Sequence, residues 1–192
     1  MNSRTSTGAR AFALTWFCLA LARTAPAHEP SAEGCSALSH DLAHELEIMR
    51  GAAVPATAVS KANGTPPQLG LDTYYAVSLA PQNSIRFSAK PASAAKSSTL
   101  RGGIFQFAVP AAGRYRVSIS SRHWIDVVDA SDVIDSVGHF GPGCERVHKV
   151  VEFDLPSGRA LILQLSGHDD AMVGLAITAA NPATPASARA SR

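Results

Sequence analysis

The sequence lacks a basic run, and after its first 27 residues it also lacks a long apolar run. Without clustered Lys or Arg, neither nucleic acid nor an anionic membrane is an expected partner. A membrane span requires about 20 consecutive apolar residues, and no later stretch reaches that length. The 192 residues therefore predict one domain of ordinary size, with no membrane span in the mature chain.

Residues 1–27 have the order of a cleavable secretory signal peptide. Two arginines provide a basic start, residues 11–22 form a short apolar run, and Ala25 and Ala27 are the small residues that precede a cleavage site. Three of the 17 basic residues and none of the 15 acidic ones lie here, so the mature chain has a net charge near −1. We expect a periplasmic or extracellular protein that begins at His28. A buried N-terminal helix is the alternative.

Cysteine is scarce, with three residues in the chain. Cys18 lies within the predicted signal peptide, so Cys35 and Cys144 remain as an even pair in an oxidising compartment. We expect a disulfide between them, which would stabilise the fold by up to roughly 4–5 kcal/mol through the long loop that it closes. Two buried free thiols are the alternative.

Residues 28–69 predict a helix followed by a linker. Within 36–50 apolar residues recur at helical spacing, and Gly51 is typical of the residue that ends a helix. The segment 52–69 is rich in Ala, Pro, Thr and Gly without periodicity, which predicts a linker or long loop. At the other end of the chain, residues 181–192 are poor in large apolar side chains and predict a disordered tail.

Residues 70–180 change to a period of two, which is typical of strands with one apolar face. No internal repeat and no helix between strands is apparent, so a parallel α/β sheet is not expected. The pattern predicts an antiparallel β-sandwich or jelly roll of about eight or nine strands with one N-terminal helix. The candidate strands are 74–79, 84–88, 103–109, 114–120, 124–128, 133–137, 147–155, 159–165 and 171–178.

Turn residues predict two hairpins among these strands. A Pro-Ala-Ala-Gly turn separates 103–109 from 114–120. A Pro-Ser-Gly turn separates 147–155 from 159–165. We expect each pair to lie side by side in one sheet.

The most suggestive group of metal-binding side chains surrounds Cys144. His139 and His148 flank this thiol, and two imidazoles with a thiolate could bind zinc or copper. A metal requires a deprotonated sulfur, which a disulfide at Cys144 removes. A surface loop held by the disulfide is therefore the alternative.

Four aspartates recur at intervals of three residues, and their carboxylates suit a hard cation such as calcium. Asp126 and Asp129 are followed by Asp132 and Asp135 in a strand-to-loop segment. Carboxylates together with backbone carbonyls are typical calcium ligands in exported modules. The order matches no EF-hand loop, and a polar strand edge with a turn is the alternative.

Three further sets suit structural roles. Trp124 and Tyr115 could line a sugar-binding face, but both lie in alternating strands, where core packing is expected. His40 and His44 lie four residues apart on the predicted helix, a spacing that suits two metal ligands, but salt bridges to Asp41 and Glu45 are the simpler explanation. The run Ser-Gly-His-Asp-Asp at 166–170 predicts a turn, because a catalytic triad is assembled in space.

The stretch 102–177 contains a set of motifs at Val-Pro-Ala-Ala-Gly-Arg-Tyr-Arg-Val-Ser (109–118), Trp-Ile-Asp-Val (124–127), His139, Cys144, Lys149, and Leu-Gln-Leu-Ser-Gly (163–167). Through these motifs it resembles a group of small exported bacterial proteins that often carry the label homogentisate 1,2-dioxygenase. It is also similar to the jelly-roll pre-peptidase C-terminal domain of secreted proteases. The first resemblance implies a ring-cleaving oxidoreductase whose iron is held by two His and a carboxylate, and the second implies a jelly roll.

The residues favour an exported, non-catalytic β-sandwich module that binds a protein, a glycan or a small ligand. No catalytic residue is assigned and no cofactor is expected. The alternative is a metal-dependent oxidoreductase like homogentisate 1,2-dioxygenase, with iron, zinc or calcium bound. Its candidate metal ligands are His139, His148, Asp126 and Asp129.

Overall fold

Eleven strands and one α-helix make up the regular structure of the described residues. The computed structural model describes residues 42–59, 64–92, 97–141 and 146–180. In chain order the elements are α1 (Ala43–Arg50), β1 (Val54–Thr57), β2 (Tyr75–Ser78), β3 (Ala80–Pro81), a 3₁₀ turn (Gln82–Ser84), β4 (Arg101–Phe107), β5 (Gly113–Ile119), β6 (Trp124–Asp129), β7 (Asp132–Ile134), β8 (Ser136–Phe140), β9 (Lys149–Leu155), β10 (Leu161–His168) and β11 (Met172–Ala179).

The strands form two sheets that bury one apolar core between them, which confirms the predicted β-sandwich. The first sheet has the order β1-β2-β11-β5-β9-β8, and the second has the order β3-β4-β10-β6-β7. Strand pairs are antiparallel except β1 with β2. Alternate residues of facing strands, such as Val117 of β5 and Phe105 of β4, are completely buried in this core.

The outer face of the first sheet is covered by α1. Leu42 and Met49 pack there against Val150 and Ala176. Because both faces of β5 are covered, its polar residues Arg116 and Ser118 are buried as well. The helix ends at Gly51, as the sequence predicts. No helix among the described residues has both the length and the apolar character needed to cross a membrane.

A buried ion pair joins α1 to this sheet. Nη1 of Arg116 donates to Oε1 of Glu45 at 3.3 Å, and the hydroxyl of Thr178 donates to the same oxygen at 2.9 Å. Nε of Arg116 also donates to Oε1 of Glu152 at 2.9 Å. Glu45 therefore pairs with Arg116 and not with His44, whose Nε2 lies 2.9 Å from Oδ1 of Asp72.

Both predicted hairpins are wrong. β4 and β5 belong to different sheets, and so do β9 and β10. β5 pairs instead with β9 and β11, while β10 pairs with β4 and β6. The apolar face of a strand is buried by the opposite sheet whichever strand lies beside it, so the alternating pattern does not decide the pairing. In this fold each of the two turns carries the chain from one sheet to the other.

Several other segments also differ from the prediction. Residues 84–88 form no strand, because the chain turns through the 3₁₀ segment and continues irregularly. The segment 52–69 contains β1, and its Ala58 and Leu69 are buried in the core. The predicted strand 133–137 is divided between β7 and β8, which lie in different sheets. The predicted signal peptide, Cys35, Cys144 and the tail 181–192 lie outside the described residues.

Candidate functional site

A cavity of about 310 Å³ opens where the edges of the two sheets meet. Strands β6 and β7 of one sheet and β8 and β9 of the other surround it. The chain crosses between the sheets at Asp135, so the core is not closed by a paired strand there. The lining combines apolar side chains (Ile125, Val133, Ile134, Val151 and Phe153) with polar or aromatic ones (Trp124, Asp126, Asp135, Ser136, His139 and Lys149).

Trp124 is the most distinctive part of this lining. It is 51% exposed, although it belongs to a strand whose next four residues are buried or nearly so. Its Nε1 donates to Oδ1 of Asp126 at 3.0 Å, which fixes the orientation of the ring. The ammonium group of Lys149 lies 5.8 Å from the ring centre, within the range of a cation–π contact. The expectation that Trp124 packs in the core is wrong, whereas Tyr115 is buried as expected.

Asp126 and Lys149 place opposite charges in the cavity. Burial raises the pKa of Asp126, opposed by hydrogen bonds that the carboxylate accepts from the Ala92 amide at 3.3 Å and from Trp124. Burial lowers the pKa of Lys149, and the charge of Asp126 counteracts that shift. Lys149 also donates a hydrogen bond to the carbonyl of His123. The cavity therefore offers an aromatic face, hydrogen-bond acceptors and a fixed donor.

The four metal-ligand candidates from the sequence are dispersed in the fold. Asp126 and His139 line the cavity together. Asp129 instead accepts a hydrogen bond from Nη1 of Arg159 at 2.8 Å. Burial and the charge of Arg122 lower the pKa of His148. None of the four belongs to the group of three metal-binding side chains that the described residues contain.

That group consists of His123, His168 and Asp170. One ligand atom from each of the three side chains lies within 4.8 Å of the other two. His123 precedes β6, whereas His168 ends β10 and Asp170 follows it in the turn to β11. The sequence predicts only a turn at 166–170. His123 lies 45 positions before His168, so no local spacing points to a shared metal site.

No protein-family model, curated protein or solved structure matches this chain. The resemblance to exported proteins labelled as dioxygenases is therefore carried by its quoted motifs alone. The function has to be inferred from the cavity and from the histidine-aspartate group.

Proposed function

We propose that the protein is an exported, non-catalytic β-sandwich module that binds a carbohydrate of about one sugar ring in the cavity beside Trp124. The observation that carries this proposal is the exposed indole, held in place at a cavity that also contains a carboxylate and an ammonium group. An aromatic face with acceptors and donors around it suits the apolar face and the hydroxyl groups of a sugar.

The orientation of the indole is set before any ligand binds. Asp126 accepts from the indole Nε1, and Lys149 lies over the ring, so the aromatic plane loses little freedom on binding. Asp126 is 4% exposed, and hydrogen bonds that a carboxylate accepts in such a low-dielectric setting are stronger than in water. These contacts favour binding and orientation over chemistry, which accords with the non-catalytic assignment.

The volume of the cavity supports a small ligand. Small-molecule sites occupy about 300–1000 Å³, and this cavity, at about 310 Å³, is at the lower end of that range. A single ring, free or at the end of a glycan chain, fits such a space better than an extended polymer does.

Intrinsic fluorescence provides the test, because the sequence has two tryptophans and Trp16 lies in the predicted signal peptide. Trp124 is then the only indole of the mature protein, and a bound sugar should change its emission in a saturable way. The probes are neutral hexoses, N-acetylated amino sugars and uronic acids, each titrated singly.

Calorimetry with the sugar that gives the largest change then tests the residues. We expect Trp124→Ala to weaken binding by roughly 30-fold, the loss of about 2 kcal/mol that is typical of a buried Trp contact. Met172→Ala is the control, since Met172 is 65% exposed on β11 of the other sheet. Failure of all three sugar classes to bind, or equal losses in both variants, would contradict the proposal.

Export is tested separately. N-terminal sequencing of the protein recovered from the periplasm or the medium should begin at His28. Recovery of that fraction with Met1 intact would contradict cleavage of residues 1–27.

A further inference from the structure

His123 is a buried histidine with an unused nitrogen. Its side chain is fully buried, and its Nε2 has no hydrogen-bond partner among the described residues. The backbone of Arg101 lies close enough to favour the protonated ring, but it makes no hydrogen bond of acceptable geometry to Nε2. An unpartnered buried polar atom is costly, and in a native structure it requires an explanation.

The other nitrogen of the same ring is occupied. Nδ1 of His123 lies 2.8 Å from the hydroxyl oxygen of Ser121. When Nδ1–H donates to this oxygen, the lone pair of Nε2 is free. Histidine ligands of metals are commonly held in this way, by a hydrogen bond on the nitrogen that does not touch the metal.

The neighbours of this ring are also ligand types. The rings of His123 and His168 meet edge to face, with their centres 5.4 Å apart. Nδ1 of His168 lies 3.2 Å from Oδ2 of Asp170 and 3.3 Å from Oδ1 of Asp169.

We propose that His123, His168 and Asp170 bind a divalent transition-metal ion, with Zn²⁺ as the preferred class. Two imidazoles and a carboxylate form a ligand set that suits zinc and leaves a fourth position open for water. The ion would supply the partner that Nε2 of His123 lacks. It would also join the start of β6 to the turn between β10 and β11.

The side chains have room to close on an ion. Tetrahedral ligands about 2.1 Å from zinc lie roughly 3.4 Å apart, whereas the three ligand atoms here are within 4.8 Å of one another. The side chains of His168 and Asp170 are 29% and 50% exposed, so both can rotate inward while buried His123 stays in place.

The test uses untagged mature protein that has been treated with a chelator and then dialysed. Calorimetry with Zn²⁺ should show one site per chain, and Co²⁺ should give the visible absorption of a low-coordinate nitrogen–oxygen site. Ca²⁺ and Mg²⁺ should not compete, because hard cations prefer all-oxygen sites. Absence of a stoichiometric Zn²⁺ site in the folded protein would overturn the proposal.

Two adjacent aspartates provide matched variants. Asp170→Asn removes a ligand, and we expect it to weaken Zn²⁺ binding by more than about 100-fold, since even outer-shell changes cost about 10–100-fold. Asp169→Asn is the comparison: its carboxylate contacts His168 without being a proposed ligand, so it should weaken Zn²⁺ binding by about 10-fold, the low end of the outer-shell range. Equal effects of the two substitutions, or no effect of Asp170→Asn, would show a diffuse acidic surface and refute the site.

Two further variants separate this site from the other proposal and from folding. His168→Gln should abolish the Co²⁺ spectrum while leaving the circular dichroism spectrum unchanged. Trp124→Ala should leave Zn²⁺ binding intact, so a failure of sugar binding does not affect this result. Retention of the Co²⁺ spectrum in His168→Gln would exclude His168 as a ligand and overturn the proposed set.

Discussion

Replacing Glu45 tests how α1 is held on the sandwich. Its carboxylate is 1% exposed and accepts hydrogen bonds from Arg116 and Thr178. Breaking a buried ion pair by removing one partner costs about 3–5 kcal/mol. Arg116 keeps its second partner, Glu152. The free energy of unfolding that Glu45→Ala loses should therefore be at the lower end of this range, about 3 kcal/mol.

A second substitution separates charge from shape. Glu45→Gln retains the side-chain volume and an oxygen that can accept from Thr178, so it should cost only about 1–2 kcal/mol. Glu47 is exposed on the same helix, and Glu47→Ala is therefore the matched control for helix propensity and net charge.

The assay is urea unfolding at pH 7, followed by circular dichroism, with the free energy of unfolding extrapolated to water. We expect the order wild type, Glu47→Ala, Glu45→Gln, Glu45→Ala from most to least stable. Free energies for Glu45→Ala and Glu47→Ala within about 0.5 kcal/mol of each other would refute the reasoning, because surface substitutions commonly produce changes of that size.

Two further predictions concern pH and the cysteines. Burial lowers the pKa of His123 from 6.5 to about 4, so the unfolded state binds more protons between these values. With chelator present, the free energy of unfolding should fall by about 2 kcal/mol as pH decreases from 7 to 4, after allowance for solvent screening, and His123→Gln should lose most of this dependence. An equal pH dependence in that variant would contradict the assignment to His123. The disulfide expected between Cys35 and Cys144 predicts that Cys144→Ser lowers the free energy of unfolding by roughly 2–5 kcal/mol. Two titratable thiols in denatured, unreduced protein would exclude the bond.

Strand positions were predictable from the sequence because the cause of a strand pattern is local. The alternation of Tyr115, Val117 and Ile119 predicts β5, and these side chains do face the core. The apolar spacing that ends at Gly51 likewise predicts a helix that stops there. Fold class follows from such patterns, since strands with one apolar face need a second sheet to cover them.

Strand pairing was not predictable in the same way. Pro-Ala-Ala-Gly and Pro-Ser-Gly suit a tight hairpin and a crossing between sheets equally well, and both turns are crossings. The choice depends on which surface buries more apolar area once all strands are present. No window of sequence contains that information.

The two sites show the same division between local and tertiary causes. Asp126 was singled out from the sequence for a spacing of three residues, yet its partners in the fold are Trp124 and Lys149 rather than the neighbouring aspartates. His123 and Asp170 attracted no metal-site prediction, because they lie far apart in sequence and meet only where β6 and β10 pair. The sequence by itself determined most of the strands, the end of the helix and the sandwich, since period and turn chemistry act over a few residues. Only the tertiary structure decided which strands pair and which side chains converge, because both depend on burial summed over the whole core.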